Sequence, residues 1–248
     1  MASLLEEFEI HPLSGPLFHI GAHPVAVTNS ALFMFLAITA STVLMVMAMR
    51  PQALVPGRWQ MLAESLYNMV GEMLQAAGGE KAKSFFPLIF SIFVFVLFCN
   101  IFGMLPRSLA VTSHFIVNFS VAVFLFFVIT VTGFVRHGFH FFHLFAPKGA
   151  PKAMMPFLII IEFLSFIVRP FSLSIRLFAN MLAGHLLLIA FGSMAAGLLA
   201  AHWLAPMAIL PLITNVAITG FEFFVAFLQA YIYTVLVAVY LRDALEMH

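Results

Sequence analysis

The sequence predicts an all-α polytopic membrane protein: about five membrane helices, an interfacial amphipathic helix, and a last pair of helices that are long and strongly tilted. Three observations carry this reading. Of 248 residues, 63% are hydrophobic and only 8% charged, where soluble domains carry about 25% charged residues. Mean hydropathy is +1.10. The apolar runs are long and continuous, whereas a membrane barrel alternates over strands of about ten residues. So few charges cannot cover a soluble globule of this size. An ordinary cytosolic enzyme, a disordered chain and a nucleic-acid binder are therefore excluded. The single cysteine, Cys99, lies in an apolar run, which excludes a disulfide scaffold.

A membrane helix needs about 20 apolar residues. The first span runs from Asn29 to Met49 and stops at Arg50 and Pro51. The second runs from Phe85 to Leu105 and stops at Pro106 and Arg107. The third runs from Phe115 to Val135 and stops at Arg136. Ala153–Ala201 and Pro206–Leu241 each exceed one upright span, so each is two short passes or one tilted helix. The second region has no loop-length polar break and the first only scattered Gly and Pro, which favours two tilted helices. Between the first two spans, Arg58–Ala77 places Met61, Leu62, Leu66, Met69 and Met73 at helical spacing, among Glu64, Asn68, Glu72 and Gln75. That pattern predicts a helix lying in the interface rather than across it. The whole chain, 1–248, is read as one membrane domain. It comprises an outer N-terminal segment (1–24), a first membrane helix (25–50), the interfacial helix (57–78), a helical hairpin (84–136) and the long pair (152–242).

Charge placement sets the expected orientation. Glu6, Glu7 and Glu9 stand before the first span with no Lys or Arg, the wrong charge for a signal peptide. With five spans and the N-terminus outside, Arg50, Arg58, Lys81, Lys83, Arg136, Lys148, Lys152 and Arg242 all fall inside. Only Arg107 falls outside. The positive-inside rule therefore places the acidic N-terminus outside and the C-terminus in the cytoplasm.

The remaining charges stand in apolar sequence: Glu162, Arg169, Arg176 and Glu222, with His185 as a fifth titratable group. A charge at a helix centre costs about 2.5–3.5 kcal/mol on insertion scales, so such groups face a bundle interior or a wet path. The structural alternative is a buried pair such as Arg176 with Glu222. For Arg169, which precedes Pro170, it is snorkelling to the inner interface. Glu162, Arg169 and Arg176 recur every seven residues and share a helix face, and Asn180 continues it. His185 points elsewhere. Asn215, Glu222 and Gln229 also repeat every seven residues, with Tyr233 close to the same face. Interhelical hydrogen bonding accounts for Asn215 and Gln229, and less well for a carboxyl at Glu222. Ala179, Ala183, Gly184, Gly192 and Gly197 permit close helix approach, whether for packing or for a smooth surface against a moving partner. His137, His140 and His143 have an H-x-x-H-x-x-H spacing, read as interfacial histidines rather than metal ligands.

The run Ser172-Leu-Ser-Ile-Arg176-Leu-Phe-Ala-Asn180-Met-Leu-Ala-Gly-His185 closely resembles the signature of subunit a of the F-type ATP synthase. So do Glu222 with Leu228-Gln229-Ala230-Tyr231-Ile232, Leu105-Pro106-Arg107, Pro147-Lys-Gly-Ala-Pro151 and Phe8-Glu-Ile-His-Pro12. The resemblance covers essentially the whole chain. It implies a non-catalytic stator subunit whose long tilted helices follow a ring of c subunits, with peripheral-stalk b subunits and the rest of the complex as further partners. It implies transport of H+ in a bacterial inner (plasma) membrane or, alternatively, a mitochondrial one. In some bacterial members the acid stands at the position of His185 and the histidine at that of Glu222. The exchange found here is the mitochondrial and alphaproteobacterial pattern, and it implies that the two positions neighbour each other in one path.

On that reading two aqueous half-channels each reach part way across. Arg176, which cannot practically be deprotonated, holds a ring carboxylate ionised and blocks direct leakage between them. Glu222 and His185 form the relay of the outer half-channel. Asn180, Asn215 and Gln229 order water or orient the relay, and Glu162 serves the inner half-channel. The sequence contains no G-x-x-x-x-G-K-[ST], so the chain is not expected to bind ATP, nor any cofactor or metal. The rival reading, a secondary ion transporter or antiporter with an intramembrane Arg/Glu site, requires an internal repeat, and none is visible.

Overall fold

A computed structural model of the chain describes residues 18–20, 23–25, 28–49, 57–104, 114–139, 141 and 154–245. The acidic N-terminal stretch, the stop at Arg50 and Pro51, Leu105-Pro106-Arg107, His140, His143 and the 147–151 segment lie outside these residues. Among the described residues, six α-helices follow a short hairpin: α1 (Asn29–Met49), α2 (Arg58–Gly78), α3 (Phe86–Gly103), α4 (Phe115–His137), α5 (Met155–Ala200) and α6 (Ile209–Leu245). The hairpin pairs β1 (Phe18–Ile20) with β2 (His23–Val25), antiparallel, with Ile20 opposite His23. The sequence pattern gives no strand signal there, because three residues per strand are too few for a readable alternation.

Among the described residues, five helical stretches are long and apolar enough to cross a membrane. They are α1, α3 with the 3-10 turn before it, α4, α5, and α6 with the 3-10 turn before it. Several Ser and Thr hydroxyls in these helices bond locally, as suits a solvent without water. Ser91, Ser120, Thr130 and Thr132 each donate to the carbonyl one turn back, at 2.7 Å. The apolar side chains point outward in numbers no water-soluble surface tolerates. Phe35, Phe127, Phe157, Ile160 and Leu164 are all exposed.

The two long apolar regions resolve into one helix each. At 1.5 Å per residue, the 46 residues of α5 extend about 69 Å and the 37 of α6 about 56 Å. A hydrocarbon core is about 30 Å thick. Pro170 lies inside α5, where it removes one backbone donor without ending the helix.

The residues pack as two compact units. The first comprises the described part of Met1–Thr39 with Val96–His114 and Leu177–Ala230. Its core holds Val96, Leu97, Cys99 and Asn100 of α3, Leu177 and Met181 of α5, and Ala226 and Ala230 of α6, all buried. Asn100 is 0% exposed and donates through Nδ2 to the Ala226 carbonyl at 3.1 Å, tying α3 to α6.

The second unit comprises Ala40–Phe95, Phe115–Arg176 and Tyr231–His248. Here α2 and α4 close on the C-terminal part of α6 through glycines. A Cβ on Gly78 would come within 2.7 Å of Ala82 and 3.6 Å of the Ala238 carbonyl. One on Gly133 would lie 2.6 Å from Phe141 and 3.3 Å from Ala244. Gly79, at φ 74°, ends α2 in a conformation that favours glycine.

Helix α2 lies over the residues expected for the interfacial helix, but its packed face differs from the expected one. The buried residues are Ala63, Val70, Met73, Leu74 and Gly78. Met73 alone is common to the two sets, while Met61 and Leu62 are exposed. Leu66 and Met69 are half-buried, so the helix carries apolar surface on both sides, and small and large residues together make its packed face. Tyr67 meets Phe86 edge-on, with centroids 4.5 Å apart, at the start of α3.

Candidate functional site

In the first unit, α5 and α6 enclose a cavity of about 150 Å³ together with Met104 at the end of α3. Asn180, Met181, Ala183, Gly184, His185 and Leu187 line it from α5. Ile218, Phe221, Glu222 and Val225 line it from α6. The local periodicity explains the grouping. Asn180–Gly184 and Met181–His185 are i, i+4 pairs, so they form two adjacent ridges on one side of α5. Ile218, Glu222 and Val225 stand at i, i+4 and i+7 on α6. The cavity is large enough for several water molecules and mostly apolar, with three polar side chains converging on it: Asn180, His185 and Glu222.

Glu222 is the best-defined of the three. It is half-buried, its Oε2 is buried, and no donor among the described residues reaches that oxygen. Its carboxyl lies against the backbone of Gly184, in the space where any other residue would carry a Cβ. His185 is half-buried at the same wall. His185 and Glu222, expected from the family resemblance to be neighbours, both line this cavity. Asn180 joins it as well, although helical arithmetic sets it on a different side from His185; the cavity is wide enough to take in both ridges.

Asn215 and Gln229 are half-buried on α6 and do not line this cavity. Asn215 sits instead near Gly192, its Nδ2 3.7 Å from where a Cβ would stand. Asn215 Oδ1 is buried with no hydrogen bond.

The remaining candidates belong to the second unit. Arg169 pairs with Asp243, NH1 to Oδ2 at 3.0 Å, and its guanidinium stacks on Tyr240 at 4.7 Å and over Phe166 at 5.8 Å. Asp243 escapes sequence reasoning, because a carboxylate two residues from the end of a helix reads as a solvated terminus. Arg169 is therefore compensated within the chain, which snorkelling alone would not provide. Glu162 is half-buried on the same helix. Arg176 is exposed on α5 and makes no ion pair or hydrogen bond among the described residues. The buried Tyr233 hydroxyl likewise has no hydrogen bond.

Outside the membrane-spanning helices, His114 precedes α4 half-buried, and burial holds its imidazole below the ordinary histidine range.

Fold and site together define a class: a multi-span helical membrane protein with titratable side chains gathered around a cavity between its two longest helices. Comparison with known proteins narrows the class. The family model "ATP synthase A chain" matches residues 31–242. The chain is 42% identical over 245 residues to the ATP synthase subunit a of Pelagibacter ubique, covering 98% of each chain. It is 45% identical over 251 residues to that of Paramagnetospirillum magneticum, covering 100% of each. It is also 45% identical over 242 residues to that of a Methylobacterium species, covering 98% of this chain and 96% of the other. The chain belongs to the ATP synthase subunit a family.

Proposed function

We propose that this chain is the proton-translocating stator subunit of an F-type ATP synthase, working in a bacterial inner membrane with its N-terminus outside and its C-terminus in the cytoplasm. The observation that carries the proposal is Arg176. A permanently charged guanidinium stands exposed on a long apolar helix with no partner among the described residues. Leaving it uncompensated in lipid costs several kcal/mol, so its counter-charge comes from another chain. The c ring, with a carboxyl on each subunit, supplies it. Arg176 then keeps the facing carboxylate ionised and stands between two aqueous half-channels as a positive barrier to protons.

Glu222 and His185 form the relay on the outer side. Both line the cavity between α5 and α6, and Asn180 beside them orients water or the imidazole. A histidine accepts and releases protons near neutral pH. A carboxyl with a buried oxygen and no donor is served equally by a water or by its own proton. Asn215 and Gln229 extend the wet seam along α6, and Glu162 serves the inner side. The subunit catalyses no bond chemistry itself. One charge crossing 100 mV delivers about 2.3 kcal/mol, and several such steps are summed by ring rotation. The b subunits of the peripheral stalk hold the chain against that rotation.

The test is proton flux in vesicles containing the whole complex. Arg176→Ala is expected to uncouple or abolish ATP-driven pumping. If pumping continues unchanged, the mechanism is wrong.

A further inference from the structure

We propose that the groove where α2 meets the start of α3 binds the headgroup of an aminophospholipid, a zwitterion that carries a phosphate and a primary ammonium. The proposal uses none of the relay residues. The groove lies within the second unit and measures about 680 Å³. Asn68, Glu72 and Gln75 line it from α2, where they stand at i, i+4 and i+7 and so make one polar ridge. Lys83 and Ser84 line it from the 3-10 turn Glu80–Phe85 that leads into α3. The apolar part of the lining is Tyr67, Leu74, Phe86 and Pro87. The Tyr67 ring lies 4.5 Å from that of Phe86 and 5.7 Å from that of Phe90, and Phe86 stacks on Phe90 at 5.7 Å. The groove is thus polar along two edges and aromatic where α3 begins.

Depth selects a lipid. The stretch long and apolar enough to cross the membrane begins at Glu80 and takes in α3, so the groove opens where hydrocarbon gives way to headgroups. Trp59 and Tyr67 are exposed on α2, and these residue types concentrate at that level. A polar rim beside aromatic rings fits an amphiphile, whereas a free anion gains nothing from the rings. Charge selects the headgroup. The lining holds one carboxylate, Glu72, and one ammonium, Lys83. Lys83 pairs with Glu80 at 2.8 Å, with the two side chains 51% and 74% exposed. Ion pairs so exposed are weak, and the Lys83 ammonium exchanges readily to a phosphate. An anionic headgroup answers Lys83 and leaves Glu72 unanswered. A choline headgroup offers Glu72 a cation without N–H donors. A primary ammonium has three donors and answers Glu72 together with the amide oxygens of Asn68 and Gln75 on the same ridge.

Photolabelling of the whole complex tests this. The complex is reconstituted in phosphatidylcholine vesicles with a trace of phosphatidylethanolamine that carries a photoreactive group near the headgroup. Labelled peptides of this chain are read by mass spectrometry, per assembled complex. Label is expected within residues 67–87. An excess of unlabelled phosphatidylethanolamine should displace it, and the same excess of phosphatidylglycerol should not. Glu72→Gln should lower the label about threefold, the scale of one exposed charge pair, and remove the preference for ethanolamine over glycerol headgroups. Lys83→Gln should lower it by a similar factor. Glu64→Gln is the control: Glu64 lies on the same helix, accepts from Gln60 at 2.8 Å and does not line the groove, so the label should be unchanged.

Equal displacement by phosphatidylglycerol and phosphatidylethanolamine, with no effect of Glu72→Gln, would reduce the groove to a general attraction for anions and overturn the proposal. Label absent from residues 67–87 would overturn it too, as would cross-links from another subunit of the complex to these residues in place of lipid. Should either variant fail to assemble, competition on the unaltered complex decides: displacement by the ethanolamine lipid alone supports the proposal, and displacement by both lipids contradicts it.

Discussion

Arg169 and Arg176 stand seven residues apart on one helix and have opposite surroundings. Arg169 is answered inside the chain, by Asp243 at 3.0 Å and by the faces of Tyr240 and Phe166. Arg176 is exposed and is answered by nothing among the described residues. Both carry the same charge in comparably apolar sequence, so the cost of placing them there is similar. What differs is where the compensation comes from. A charge neutralised by its own chain ties helices together. A charge left open on an apolar face is directed at something outside the chain. On this comparison we read Arg169 as a structural group and propose Arg176 as a working one.

The largest effect expected is at Arg176. Arg176→Ala should reduce ATP-driven pumping to the background of vesicles without the complex, while the complex still assembles. Arg176→Lys should not rescue it fully, because lysine lacks the planar fork and neutralises more readily when desolvated. Next comes Glu222→Gln, which keeps shape and removes titration. It should lower passive flux about tenfold to a hundredfold, the range of a lost general acid–base group, as read by the decay of an imposed pH gradient.

The opposite pattern belongs to Arg169. Arg169→Ala and Asp243→Asn each leave a charge without its partner, so the amount of assembled complex should fall about threefold, by immunoblot of washed membranes. Flux per remaining complex should stay near normal. The smallest effect should come from Asn100→Ala. It removes one buried hydrogen bond to the Ala226 carbonyl, worth about 1 kcal/mol, at the turn of α6 that follows Glu222. It should show as a lower temperature of inactivation with flux intact.

The fold is legible in the sequence because the solvent is lipid. Twenty-residue apolar runs report the membrane helices directly, and α1 covers the run expected for it, whereas α4 continues through Arg136 to His137. The over-long regions are ambiguous by length alone, since periodicity does not distinguish two passes from one when every face is apolar. In α2 the packed face takes in Ala63, Val70 and Gly78 beside Met73 and Leu74 and leaves Met61 and Leu62 exposed, with close approach at Gly78 contributing to the packing. Small residues give a weak signal for that.

At the site, Arg176, Glu222 and His185 stand out as titratable groups in apolar sequence. Asp243 does not, because it looks like an ordinary charged helix end.

The central claim is that Arg176 acts on a partner and Arg169 on its own chain. The most direct measurement is ATP-driven proton pumping by Arg176→Ala and Arg169→Ala complexes side by side, each normalised to assembled complex. No pumping is expected from the first and near-normal pumping per complex from the second. Pumping by Arg176→Ala complexes, or an equal loss in both, would contradict it.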